Sequence, residues 1–299
     1  MPRQKSREQR MPIGLLNVVA HPTTVKDRYE NLIKAAVKAM VPMRYFGNRW
    51  GYIAAHEKTR DGYIAGTVNT FLDFDRSKPW FDKIRQTVLD EDELDQSVPE
   101  HLKPEFKAFN FLLVPEYHRI LVDLREMTIS NAQKIFYSQL SPESIRKPLG
   151  VKSVEVYVEQ SIEGLEKILN LERIDELLIV CRRPNSDSLH ELEEQIDSLM
   201  EEQNAREYRQ EWKAERSGPG FVPNKETRDL ANVSRSYGFT SALGYAKGEN
   251  RQTPHSTEKL PLVEYTTTVP EEETAINALR RNATRVISKV KATNDDGQG

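Results

Sequence analysis

The chain has 299 residues, 30% charged and 37% hydrophobic, and its 43 Lys and Arg against 46 Asp and Glu leave a net charge of -3. No stretch approaches the roughly 18 consecutive apolar residues that cross a bilayer, which argues against an integral membrane protein, and the charged residues 1–10 are followed by no apolar signal region, which weakens a secreted reading. A near-neutral total carries no global basic signature of a nucleic-acid binder, so such a partner would have to be held by a local patch.

The single cysteine, Cys181, excludes an intrachain disulfide and a thiolate zinc site. A reducing, cytoplasmic setting is the expectation. Cys181 ends the apolar run Leu177-Leu178-Ile179-Val180 and reads as a small buried apolar group.

In chain order, residues 13–20 form an apolar run stopped by His21-Pro22, the pattern of a buried strand. Thr23 or Thr24 would then cap a helix whose Val25, Tyr29, Leu32, Ile33, Ala36, Val37 and Met40 share one face, ended by Pro42. Residues 50–58 and 63–74 are β-rich and joined through Arg60-Asp61-Gly62, a hairpin signal. The acidic, proline-bearing stretch 90–104 reads as an exposed loop. A second hairpin at 106–114 and 118–124 precedes a helix from Thr128, its N-cap, to Leu140.

Further on, Val154, Val156 and Val158 alternate with Glu155, Tyr157 and Glu159, which describes a half-buried strand. Ser161 caps a short helix through Leu165, Ile168 and Leu169, and residues 177–181 add a buried strand. Residues 188–216 read as one long helix. Its Leu189, Leu192, Ile196 and Leu199 step by 3, 4 and 3, the seam of a short coiled coil or the inner face of a helix packed on its own domain. Ser217-Gly218-Pro219-Gly220 is a breaker. Beyond it come a helix near 225–236, a glycine-bearing segment at 241–248, a polar loop to 259, a strand at 262–269 and a last helix opened by Pro270 and Glu271.

This order gives a flexible basic N-terminus (1–10), an α+β core domain (11–184), a long amphipathic helix (185–217), a smaller C-terminal α+β region (218–293) and a disordered tail (294–299). The fold class is α+β, an antiparallel or mixed sheet with helices, compatible with tandem ferredoxin-like modules.

No Walker A, G-x-G-x-x-G, G-x-S-x-G or H-E-x-x-H pattern is present. Asp73 and Asp75 flank Phe74 at a strand end, which would put both carboxylates on one strand face, where they could hold Mg²⁺ for phosphodiester chemistry; His118 is the further candidate catalytic group. Mg²⁺ is implied only by that metal-nuclease alternative, and otherwise no cofactor or metal is expected. The plainer reading of both aspartates is ordinary strand-end carboxylates.

Cations interleave with aromatics in Arg44, Tyr45, Phe46, Asn48, Arg49 and Trp50, which suits phosphate contact with base stacking. Arg182-Arg183 and the terminal-helix cations Arg280, Arg281, Arg285, Lys289 and Lys291 are further clusters. The leading expectation is a protein without ordinary catalysis that binds DNA or RNA through Arg44, Tyr45, Arg49, Trp50, Arg182 and Arg183. Its protein contact, to a partner or a second copy, would use Leu189, Leu192, Ile196 and Leu199. A pure interaction module, oligomerising or antitoxin-like, is the remaining alternative.

The runs GLLNVVAHP from Gly14, FLDFD from Phe71 with Pro79-Trp80-Phe81, VEVYVEQS from Val154 and CRRPN from Cys181 together resemble an uncharacterised bacterial family carrying a domain of unknown function. The resemblance spans about residue 13 to beyond Tyr265 and brings no catalytic residues with it. It is similar in character to accessory proteins of bacterial anti-phage loci, which implies a defence or regulatory role as an expectation by analogy.

Overall fold

The computed structural model describes residues 8–185, 191–269 and 271–291. Strand β1 (Gln9–His21) leads into helix α1 (Arg28–Ala39). The chain then meanders through β2 (Met43–Phe46), β3 (Arg49–Lys58) and β4 (Ile64–Leu72), makes an excursion through the small hairpin β5 (Trp80–Asp82) and β6 (Thr87–Leu89) and helix α2 (Glu91–Ser97), and returns as β7 (Lys107–Val114) and β8 (Arg119–Asp123). Helices α3 (Ile129–Leu140) and α4 (Glu143–Arg146) follow, then β9 (Ser153–Val158), α5 (Ile162–Leu169) and β10 (Arg173–Arg182). The last part is α6 (Glu191–Glu202), β11 (Glu207–Lys213), α7 (Lys225–Tyr237), β12 (Gly238–Tyr245), β13 (Thr253–Ser256), β14 (Val263–Thr268) and α8 (Ala275–Lys291).

The fold is mixed α+β with antiparallel sheets. The large sheet, a curled half-barrel, runs β14-β1-β8-β7-β4-β3-β2. β1 is its spine: β8 pairs along Ile13–Asn17 on one edge, while β14 and β9 share the other edge end to end. A second sheet runs β11-β10-β12-β13. Hairpins join β2 to β3, β3 to β4 and β7 to β8, while β1, followed by α1, lies between β8 and β9, and β14 returns to β1 from the far end of the chain.

The near-continuous apolar run of β1 follows from burial on both faces. Successive side chains point to opposite sides of a strand, so Met11, Ile13 and Leu15 meet Ala278, Leu279, Ala283 and Val286 of α8. Leu16, Val18 and Ala20 face Leu32, Ile33 and Ala36 of α1 and Ala132, Ile135 and Phe136 of α3. Val19 joins a third core, where Leu165, Ile168 and Leu169 of α5, Ile196 and Met200 of α6 and Leu230 and Ala231 of α7 pack on Leu177, Ile179 and Cys181. Cys181 is fully buried, and burial pushes its thiol up to about 12, as its reading as a core residue requires.

Several expectations are corrected. Helix α1 is entered through Asp27 in the left-handed region with no side-chain cap, three residues after the threonines read as its cap. Residues 90–104 are not all loop: Asp90 accepts the Glu93 N–H and starts α2, because a carboxylate at the N-cap and acids in the first turn suit the positive end of a helix. The long helix expected over 188–216 is two elements. Helix α6 ends at Glu202, Asn204 turns the chain with φ 49°, and β11 pairs along β10 from Glu207 to Lys213. In β11 the alternation puts Tyr208 towards the core. Likewise β14 and α8 return to the large sheet and β10 pairs β12 across the breaker at 217–220, so that breaker is a loop within one architecture and the boundaries 11–184 and 218–293 do not separate sheets. β1 begins at Gln9, inside the segment read as a flexible terminus, and the tail 294–299 lies outside the described residues.

One glycine is dictated by close approach. Where α7 runs directly into β12, a Cβ on Gly238 would lie 1.8 Å from the Val180 carbonyl oxygen, so only glycine lets β12 seat on β10 there.

Candidate functional site

The loop between β8 and α3 and the end of the sheet carried by β2 and β3 enclose an open cleft of about 340 Å³. Tyr45, Arg49, Lys107, Leu124, Arg125, Glu126, Met127, Thr128 and Asn131 line it. Each enters for a local reason. A bulge between Arg44 and Phe46 shifts the pairing of β2 with β3, and Tyr45 packs partly against the core beneath α3. Lys107 is the first residue of β7 and Arg49 the first of β3. Arg125 follows β8, and Thr128 caps α3 by accepting the Asn131 N–H at 3.3 Å. The cleft therefore opens on a helix N-terminus, whose unpaired N–H groups favour negative charge.

Its three cations are held by carboxylates. Arg49 lies 2.5 Å from Glu105 and Lys107 3.0 Å from Glu126, with 34–53% of each side chain exposed. Arg125 is gripped through two nitrogens by the buried Asp123, at 2.6 Å for the shortest contact. Exposed pairs of the first kind are worth about 0–1 kcal/mol, so an incoming anion can compete for Arg49 and Lys107, while Arg125 stays fixed.

Of the residues expected to contact nucleic acid, the structure brings together Tyr45 and Arg49 only. Trp50 points away from Arg49 by strand alternation and is the cross-strand partner of Arg44, so those two share the opposite face of the sheet. Arg182 pairs with Glu207 at 3.3 Å and lies over the Tyr157 ring, and Arg183 pairs with Asp197 at 2.6 Å and Glu201 at 2.8 Å. In α8, Arg280 pairs with Asp61, Arg281 with Glu273, and Arg285 and Lys289 with Glu264. Lys107, Arg125 and Asn131 escaped sequence reasoning because they join the cleft from three separate elements; the Thr128 cap was the one legible signal.

The carboxylates read as a metal pair do not form one. β4 ends at Leu72, which leaves Asp73 and Asp75 in the following loop and not on one strand face. Asp73 takes Lys103 at 2.5 Å. Asp75 accepts the Ser77 hydroxyl at 2.6 Å, a bond that lowers its pKa. His118 is buried elsewhere. Among the described residues no group of three or more His, Cys, Asp or Glu is placed to hold a metal ion.

His118 belongs instead to a polar cluster centred on the fully buried Asn185, at the exit of β10. The Asn185 Oδ1 accepts the Tyr29 hydroxyl at 3.1 Å and the Ala20 N–H at 3.3 Å, and its Nδ2 lies 3.1 Å from both the Val18 carbonyl and His118 Nδ1. This amide ties β1, α1 and β10 together.

Two of the four residues of the seam expected to oligomerise, Leu192 and Ile196, face inward. Ile196 is buried in the third core and Leu192 packs against it, whereas Leu199 is 43% exposed; Leu189 lies outside the described residues.

A curled antiparallel sheet with helices on both faces defines an α+β protein, and its candidate site is a cleft at one helix N-terminus lined by three carboxylate-paired cations. The chain belongs to the family described as the domain of unknown function DUF4747, whose model matches residues 9–284 of the 299. No curated protein matches it. No helix among the described residues is long and apolar enough to cross a membrane.

Proposed function

We propose that this protein binds nucleic acid, DNA or RNA, through the cleft at the N-terminus of α3, in a cytoplasmic regulatory or defence setting of the kind its family resemblance implies. The observation that carries this reading is the convergence of Tyr45, Arg49, Lys107, Arg125 and the first turn of α3 on one cleft. Phosphate oxygens are met by arginine, lysine and backbone N–H groups, and bases stack on exposed aromatic faces. With a net charge of -3 and the remaining arginine clusters neutralised by neighbouring carboxylates, this cleft is where a phosphate gains most.

Fluorescence anisotropy with labelled DNA and RNA oligonucleotides at roughly 50 mM salt tests it. Arg49→Glu combined with Lys107→Glu is expected to weaken binding at least tenfold, since each reversal removes one phosphate contact and adds a repulsion, with no change in melting temperature. Arg44→Glu, on the opposite face, is expected to change it little. Absence of binding by the wild type even at low salt defeats the proposal.

A further inference from the structure

We infer that the cleft takes a single strand, engaging it about one nucleotide at a time, with a base on the Tyr45 ring and the adjoining phosphate between Arg49, Lys107 and the first turn of α3. The inference rests on the nucleic-acid reading above and adds which form of nucleic acid the site accepts.

Size argues first. About 340 Å³ lies at the lower end of the ~300–1,000 Å³ of small-molecule sites, room for a nucleotide unit and not for the width of a duplex. No helix is presented to a groove either, because α3 offers its N-terminus to the cleft and buries Ile129, Ala132, Ile135 and Phe136 against the sheet.

Charge argues second. Specific duplex binding draws on a stripe of some 6–10 phosphate contacts. Here Arg49 and Lys107 are the exchangeable cations of the cleft, and Arg125 adds a fixed one. Beyond it, Arg182, Arg183, Arg280, Arg281, Arg285 and Lys289 are already committed to carboxylates on other parts of the surface. The field suits one or two phosphates.

The aromatic argues third. Tyr45 is half-buried and lines the cleft, and Asn131 lines it from the first turn of α3. A base already paired and stacked in a duplex cannot lie on that ring without being extracted, whereas a base in a single strand is free to do so at little cost.

The test uses the full chain and four labelled 12-mers: single-stranded RNA, single-stranded DNA and the two corresponding blunt duplexes. Single-strand binding at least tenfold tighter than duplex binding, in either the RNA or the DNA pair, is the expected result. Its salt slope should lie between about -0.7 and -1.4, the value for one or two phosphates on a single strand. Tyr45→Phe should keep single-strand affinity and Tyr45→Leu lose it roughly tenfold, with melting temperatures followed for both. Duplexes bound as tightly as single strands, or a slope steeper than about -5, overturn the inference while leaving the nucleic-acid reading in place. Failure of all four oligonucleotides to bind overturns both.

Discussion

Arg119 Nε and Glu159 Oε2 face each other at 3.1 Å where neither side chain reaches solvent, at 8% and 0% exposure. Arg119 opens β8 and Glu159 follows β9, so the pair lies where the large sheet meets the second. The pair is not aligned as a hydrogen bond, so these two atoms meet by charge alone while other atoms of both groups are hydrogen-bonded. Arg119 donates to Asn17 Oδ1 and the Tyr117 carbonyl, and Ser236 donates to Glu159 Oε1. Burial works against the Arg119 charge, and Glu159 and its neighbours more than offset it, so its pKa is raised.

Removing one member of such a pair strands the other charge in the interior. Glu159→Ala is expected to lower stability by about 3–5 kcal/mol, and Arg119→Met with Glu159→Leu to recover most of that. Urea unfolding of the two variants and the wild type measures it, and a single-variant loss below about 1 kcal/mol would show that water reaches the pair.

His21, at the end of β1, gives a pH dependence of definite sign. Its Nε2 is buried and has no hydrogen-bond partner among the described residues; burial lowers its pKa below 6.5, and Arg183 and Arg28 add to this against the opposing pull of Asp197 and Glu201. The unfolded chain therefore binds the proton more readily. The contribution to stability is complete above about pH 6.5 and is lost as pH falls towards the depressed folded value. The stability difference between wild type and His21→Gln should shift against the wild type between about pH 7 and 5. Parallel curves over that range would remove His21 from the account.

Gly238→Ala is expected to cost about 3 kcal/mol or more, because the added methyl overlaps the Val180 carbonyl and backbone, not a flexible side chain, must move. A melting temperature within a degree or two of the wild type would mean that β12 slides on β10 more easily than its register implies.

Helix α6 separates a core role from an interface role. Ile196→Lys buries an unpaired charge in the third core and should destabilise the monomer by several kcal/mol, while Leu199→Lys at a 43% exposed position should be within about 0.5 kcal/mol of neutral. Sedimentation of the wild type and Leu199→Lys completes the test. A wild-type dimer dissociated by Leu199→Lys would make the exposed side of α6 an interface.

Much of the local structure was legible. The Thr128 and Ser161 caps, the Asp61-Gly62 hairpin and the apolar run of β1 are short-range signals, and each is where it was read. Misread segments carried two periods at once. The acidic stretch after Asp90 looks like solvated loop by composition and is a capped helix by position, and residues 207–213 continue a weak helical seam yet alternate well enough to pair with β10. The site was half legible: Tyr45 and Arg49 stood out as an aromatic beside a cation. Lys107, Arg125 and Asn131 did not, since nothing local distinguishes them from other surface polar residues.

Sequence alone determined the α+β class, the burial of Cys181 and the continuous core strand β1, because hydrophobic period and capping chemistry act over a few residues. Only the tertiary structure decided which charges act together. A strand's two faces send Arg49 and Trp50 apart, ion pairs formed across long separations neutralise Arg182, Arg183 and the cations of α8, and the return of β14 and α8 to the first sheet joins what the Gly218-Pro219-Gly220 breaker looked set to divide. Charge is a local property of a sequence, but a field is a property of the distances between charges, and the fold sets those distances.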